Sequence, residues 1–181
     1  MLELYTVSDK YIRYLREAVP HVYDPHEGHR SHDRKYLGVL LSINGFTYFA
    51  PLSSPKRTDY FAGGDQIRRS TLTIMRMTKT SLEAECLLGT IRLSHMIPVP
   101  DTEIRKYDVY TEPDEAYQRL VCDELRWIEH NDTAIIKSAK QVYEIKTHEN
   151  DRRNEKNAKM LDSILPFFTL QQLCADWRGN D

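Results

Sequence analysis

The chain has 181 residues, of which 40% are apolar and 29% charged, with a formal net charge of −2. That is the length of one domain able to bury a core, and no run of about 18 apolar residues offers a membrane span. The balanced charge excludes bulk electrostatic attraction to nucleic acid but leaves room for a local basic face. Cys86, Cys122 and Cys174 are odd in number and widely spaced, and the N-terminal MLELYTVSDKY lacks the basic head and apolar stretch of a secretory signal. Both point to a reduced, cytoplasmic setting.

Leu2–Val7 reads as a first strand. Ser8 then caps a predicted helix from Asp9 to about Ala18, with Tyr11, Ile12 and Leu15 at helical spacing and Pro20 as its stop. His21–Lys35 is polar throughout and reads as a loop. Tyr36–Ile43 and Phe46–Leu52 flank Asn44-Gly45, a pair that accepts the positive φ of a type I′ turn, so a hairpin is expected. Ser53–Ser70 is a second polar loop, with Gly63-Gly64 inside it. Thr71–Met77 and Leu87–Leu93 read as strands, and Met96–Val99 as a short apolar segment closed by Pro98 and Pro100. Beyond Pro100 the periodicity turns helical: Asp114–Asn131, Thr133–Glu149, Arg152–Leu165 and Thr169–Trp177. Strands first and helices later predict an α+β fold, a compact, strongly bent antiparallel sheet with helices packed on it and a mostly helical second half.

Four groups of residues could carry chemistry. Ser53-Ser54-Pro55-Lys56 leaves the end of a rigid hairpin, so its hydroxyls and ammonium can hold an anionic oxygen such as a phosphate; by composition alone it is a solvated turn. His21, His26, His29 and His32 raise a metal-dependent hydrolase, although no cysteine stands near them to complete a zinc set. Lys137, Lys140, Lys146, Arg152, Arg153, Lys156 and Lys159 form a basic stripe, which is either a solvated helix face or a track for a nucleic-acid backbone. The eleven tyrosines could stack unpaired bases. A serine nucleophile has no G-x-S-x-G elbow and no S-x-x-K motif here.

Four stretches together, LYTVSDKYIRYL, YLGVLLSINGFTYFAPLSSPK, IRLSHMIPVP and FFTLQQLCADW, resemble the ToxN/AbiQ family of endoribonuclease toxins from bacterial type III toxin–antitoxin systems. The resemblance touches both ends and the middle of the chain. It implies a barrel-like antiparallel sheet related to the Kid/MazF toxins. It also implies a metal-independent, cofactor-free, sequence-selective ribonuclease that leaves 2′,3′-cyclic phosphate and 5′-hydroxyl ends. The implied partners are cellular and phage RNA as substrate and an RNA antitoxin. The antitoxin's tandem repeats are cut into pseudoknots, which hold the toxin in a closed protein–RNA assembly linked to phage defence.

By motif, Ser53, Ser54 and Lys56 take the place of the family's active-site loop, and Tyr11 that of the tyrosine on its first helix. Arg34 or Lys35 matches the basic residue before the hairpin. Arg57, Lys137, Lys140, Arg152, Arg153, Lys156 and Lys159 are the further RNA contacts expected. Arg30 falls near the place of a tyrosine that the family prototype carries, and the histidine density is a departure from the family. A non-catalytic RNA-binding module built on the Lys137–Lys159 stripe is the alternative from another class.

Overall fold

The computed structural model describes residues 2–24, 32–81, 84–148 and 158–179. Four helices accompany a seven-stranded antiparallel sheet among these residues. The strands are β1 (Glu3–Val7), β2 (Tyr36–Ile43), β3 (Phe46–Ser53), β4 (Ile74–Thr80), β5 (Glu85–Arg92), β6 (Ile97–Pro98) and β7 (Ile104–Lys106). The helices are α1 (Asp9–Ala18), α2 (Glu115–Thr147), α3 (Ala158–Asp162) and α4 (Phe167–Asp176). The sheet runs β4-β5-β3-β2-β1-β7, with β6 on β3. It is α+β as predicted, but the path is open: β4 and β7 end it, and no described pairing closes it into a barrel.

Local signals place the first elements. The Ser8 side chain accepts from the Tyr11 amide, and α1 ends at Val19, the residue that Pro20 bars from helical geometry. Asn44 and Gly45 have φ of 53° and 80°, the positive pair that the tight turn requires. The second half differs from expectation in one respect. α2 is a single helix of 33 residues rather than two. No proline or glycine lies between Asp114 and His148 to break it, and Asn131 returns its amide to the Trp127 carbonyl, 2.7 Å away. Asp114 caps it by accepting from Ala116 and Tyr117. Val121, Ile128, Ile135, Ala139 and Val142 make one buried face. The core joins that face to Ile12, Leu15, Leu37, Phe49, Ile91 and Leu170.

Candidate active site

The hairpin register builds the site. Continued without interruption from Ile43↔Phe46, the ladder would set Ser53 opposite Tyr36. The register shifts between Leu37 and Leu41, so Tyr36 pairs with Pro51 instead. The Leu52 amide therefore donates to the Lys35 carbonyl, 2.9 Å, and Arg34 arrives across from Ser53. On the other side of β3, Ser53 pairs with Thr90 and Thr90 with Arg76. Cross-strand partners share a face, so Arg34, Ser53, Thr90 and Arg76 form one polar row across the sheet.

Pro51 has a second effect. The Leu52 N–H points towards β2, so the missing N–H of Pro51 faces β5 and β6. There the ladder opens. The partner chain leaves β5 after Arg92, makes a 3₁₀ turn at Leu93–His95 and rejoins as β6 at Ile97. That detour delivers His95 to the site.

A buried carboxylate fixes the backbone beyond Ser53. Asp59, 1% exposed, accepts from the Lys56 amide at 2.9 Å and donates its own amide to the Lys56 carbonyl at 2.8 Å. Its oxygens face Arg76 at 3.0 Å and Arg92 at 3.5 Å. Arg76 also donates to the Arg69 carbonyl, so the Lys56 turn and the ends of β4 and β5 are joined through one anion.

Ser54, Pro55 and Lys56 are exposed, whereas Ser53 is buried. Arg34, itself buried, donates to the Leu52 carbonyl at 3.0 Å and to Ser53 Oγ at 3.2 Å. Tyr23 lies under both cations: its ring centre is 4.5 Å from the Arg34 guanidinium and 5.8 Å from Lys56 Nζ. His95 stacks on the same tyrosine at 4.4 Å, and its Nδ1 meets Ser94 Oγ at 2.9 Å. Burial, then the charges of Arg92, His21, Lys56 and Arg34, push the His95 imidazole down to about 4. It is neutral at pH 7 and too weak a base to take a proton efficiently there. His95→Phe, which keeps a ring on Tyr23, is expected to retain RNA cleavage within about threefold, against the 10²–10⁴-fold that a proton-transferring group would cost. Initial cleavage rates of the two proteins decide it.

Lys35 points to the opposite face. Its ammonium lies 4.1 Å from the Tyr107 ring centre and 5.9 Å from that of Tyr117, and burial lowers its pKa. With Ser53, Ser54, Leu52, Leu88, Tyr117, Leu120 and Glu124 it lines a narrow cleft of about 40 Å³. The turn from Ser53 to Lys56 thus leaves the sheet between two polar clusters.

The other sequence-predicted residues fall elsewhere. Tyr11 is fully buried: its hydroxyl donates to the Pro98 carbonyl at 2.8 Å and its ring packs edge-on against Trp177. Burial raises its pKa far above the tyrosine range. The tyrosine set against the site's cations is Tyr23, which sequence spacing gave no means of choosing from the polar loop. Arg57 turns to the Gly64 carbonyl at 3.2 Å and to Asp65 at 3.7 Å.

Lys137 and Lys140 are exposed on α2. At 3.6 residues per turn and 1.5 Å per residue, Lys137 lies roughly 20 Å along the helix from Glu124 and rotated by roughly 140°. Lys140 pairs with Glu144 at 4.0 Å. Lys159 is exposed on α3, and Arg152, Arg153 and Lys156 lie outside the described residues. Lys137 therefore lies well away from the Glu124 end of α2.

Of the histidines, His32 stacks on Tyr117 at 3.8 Å and faces Glu112 and Asp114 at 3.6 and 3.3 Å. His21 is exposed on the Tyr23 side, and His26 and His29 lie outside the described residues. Among the described residues, no three His, Cys, Asp or Glu side chains gather as metal ligands. No described helix is long and apolar enough to cross a membrane.

Comparison with known proteins gives this geometry a context. Endoribonuclease ToxN of Pectobacterium atrosepticum is 30% identical over 74% of this chain and 75% of its own length. Endoribonuclease ToxN of Bacillus thuringiensis subsp. kurstaki is 27% identical over 99% of this chain and 86% of its own. A solved chain from a bacterial antiviral system that a processed non-coding RNA regulates superposes with a TM-score of 0.80 at 24% identity, over 97% of this chain and 99% of that one. At that identity the likeness speaks for the fold. Residues 3–173 match the family described as toxin ToxN, type III toxin–antitoxin system, so the chain belongs to the ToxN family of endoribonuclease toxins.

Proposed function

We propose that the Ser53–Lys56 turn grips the scissile phosphate of RNA and promotes attack by the adjacent 2′-oxygen, giving 2′,3′-cyclic phosphate and 5′-hydroxyl ends without a metal ion. The observation that carries this reading is the charge balance at the turn. Arg34 at Ser53, Lys56 at the tip and Arg76 and Arg92 behind it meet one buried carboxylate, that of Asp59, which already faces Arg76 and Arg92. The surplus is positive, and Lys56 presents it to solvent.

In the reaction the O2′–P bond forms and the P–O5′ bond breaks, while the proton of the 2′-hydroxyl is lost and one is gained by the 5′-oxygen. Lys56 neutralises the charge that builds on the nonbridging oxygens of the phosphorane. The Ser53 oxygen accepts from Arg34, which leaves its own proton to donate to the phosphate, and the exposed Ser54 hydroxyl lies next to it. Ser53 and the Lys56 backbone are fixed before substrate arrives, the one in the ladder and the other on Asp59. Neither serine needs to form a covalent bond to phosphorus.

On this reading the chain is the toxin of a type III system. It cuts its own tandem-repeat RNA, is inhibited by the pseudoknot product in a closed protein–RNA assembly, and acts on cellular and phage RNA in antiviral defence. Membership of the ToxN family and the RNA-regulated antiviral relative support it. Purified protein incubated with a tandem-repeat RNA in EDTA is expected to give a ladder of fragments ending in cyclic phosphate. Intact RNA with a mobility shift would instead support the binding module, and activity lost only in EDTA would support a metal enzyme.

A further inference from the structure

The cleft between α2 and the end of β3 holds a carboxyl group that the chemistry above leaves unused. Glu124 is 8% exposed. Its carboxyl packs on the bare backbone of Gly89: a Cβ there would lie 2.5 Å from Glu124 Oε1 and 3.1 Å from the Ser53 carbonyl oxygen. Glycine at this position leaves the Glu124 carboxyl the space beside the sheet backbone that a Cβ would otherwise take. Leu52, Leu88 and Leu120 form the apolar walls, and Tyr117 and Lys35 complete the lining.

No described cation pairs with Glu124. Lys35 is placed over the Tyr107 and Tyr117 rings. Lys79 of β4 and Arg126 of α2 both go to Asp123, at 2.7 and 2.9 Å. An unpaired carboxyl in apolar surroundings keeps its proton. Burial, the sole cause, raises the Glu124 pKa to about 8. At neutral pH the side chain is then an O–H donor rather than an anion, so it can stand beside a phosphate without repelling it.

We propose that Glu124 acts as a neutral carboxylic acid that hydrogen-bonds an oxygen of the RNA backbone seated at Ser53 and Ser54, and so positions the scissile phosphate. The inference rests on the reading that this turn holds RNA. The cleft of about 40 Å³ admits an oxygen or a water, whereas a base ring is too large for it. Glu124 is therefore a positioning residue on the sugar–phosphate side, with no part in choosing the base.

Glu124→Gln keeps the shape and an N–H donor but cannot ionise. It is expected to cleave RNA within about threefold of wild type at pH 7, whereas Glu124→Ala loses about 10–100-fold in kcat/KM by removing the donor. Wild-type activity is expected to fall as pH rises through about 8. Glu124→Gln shows no fall there, which separates Glu124 from Lys35, Tyr107 and Tyr117, the titratable groups beside it. The infrared difference spectrum, wild type minus Glu124→Gln at pH 7, should contain a protonated-carboxyl C=O stretch that disappears at alkaline pH, whether or not RNA is cut.

Absence of that band overturns the neutral acid. A Glu124→Gln protein as slow as Glu124→Ala, with the band present, overturns positioning in favour of proton transfer. An unimpaired Glu124→Ala protein overturns any role in cleavage. A wild-type protein that leaves RNA intact removes the cleavage reading and the substrate half of this inference, while the band still decides the protonation.

Discussion

Lys56→Ala is expected to slow RNA cleavage by about 10²–10³-fold, the usual cost of losing one preorganised group that stabilises developing charge. The fold should not notice. The structural bonds at this position are made by the backbone, whose amide and carbonyl both meet Asp59, while the side chain is exposed and reaches only as far as the Tyr23 ring at 5.8 Å. Single-turnover cleavage of a short RNA, with a thermal melt of the same samples, separates the two effects. Unchanged melting with cleavage near the wild-type rate would remove Lys56 from the chemistry and the proposed site with it. Lys56→Arg should recover only part of the rate, because a guanidinium is a planar fork where the turn presents a compact charge.

Asp59→Ala acts on the other side of the same turn and is expected to cost about 3–5 kcal/mol of stability, the range for removing one partner from a buried ion cluster. Arg76 and Arg92 are both nearly buried and would face each other across the vacated space without a counter-charge. The Lys56 amide would also lose its acceptor. Asp59→Asn keeps an oxygen for that amide but not the charge, so it should fall between wild type and alanine. Urea unfolding of the three proteins tests the order. A loss below about 1 kcal/mol for alanine would mean that the arginines find other partners and that Asp59 is not the anchor of the turn. The two substitutions together distinguish presentation from chemistry: Lys56→Ala lowers activity in a stable protein, whereas Asp59→Ala lowers stability first.

Signals confined to a few neighbouring residues were legible without coordinates. Asn44-Gly45 names its turn because few other dipeptides accept positive φ twice, and Ser8 names a helix start because its hydroxyl can reach the Tyr11 amide. The proline-stiffened Ser-Ser-Pro-Lys turn at the end of an apolar hairpin was visible for the same reason. Where the local pattern left a choice, sequence reading erred. The periodicity reads as two helices, Asp114–Asn131 and Thr133–Glu149, yet the buried face on either side carries one helix through Asn131, Asp132 and Thr133. Ile104–Lys106 carries no strand pattern of its own, and β7 owes its conformation to pairing with β1.

By itself, then, the sequence determined the hairpin, its turn, the exposed Ser54–Lys56 tip and the α+β order of elements, since each depends on backbone preferences over a handful of residues. Tertiary structure alone decided what surrounds the tip. The register shift brings Arg34 to Ser53, the ladder gap at Pro51 brings His95 to Tyr23, Asp59 draws in Arg76 and Arg92, and Gly89 makes room for Glu124. It also buried Tyr11, whose hydroxyl donates to the Pro98 carbonyl. The physical reason is common to all of these: charge, burial and pKa are set by neighbours far apart in the chain, and folding fixes those neighbours only when strands commit to a register and a helix settles on the sheet.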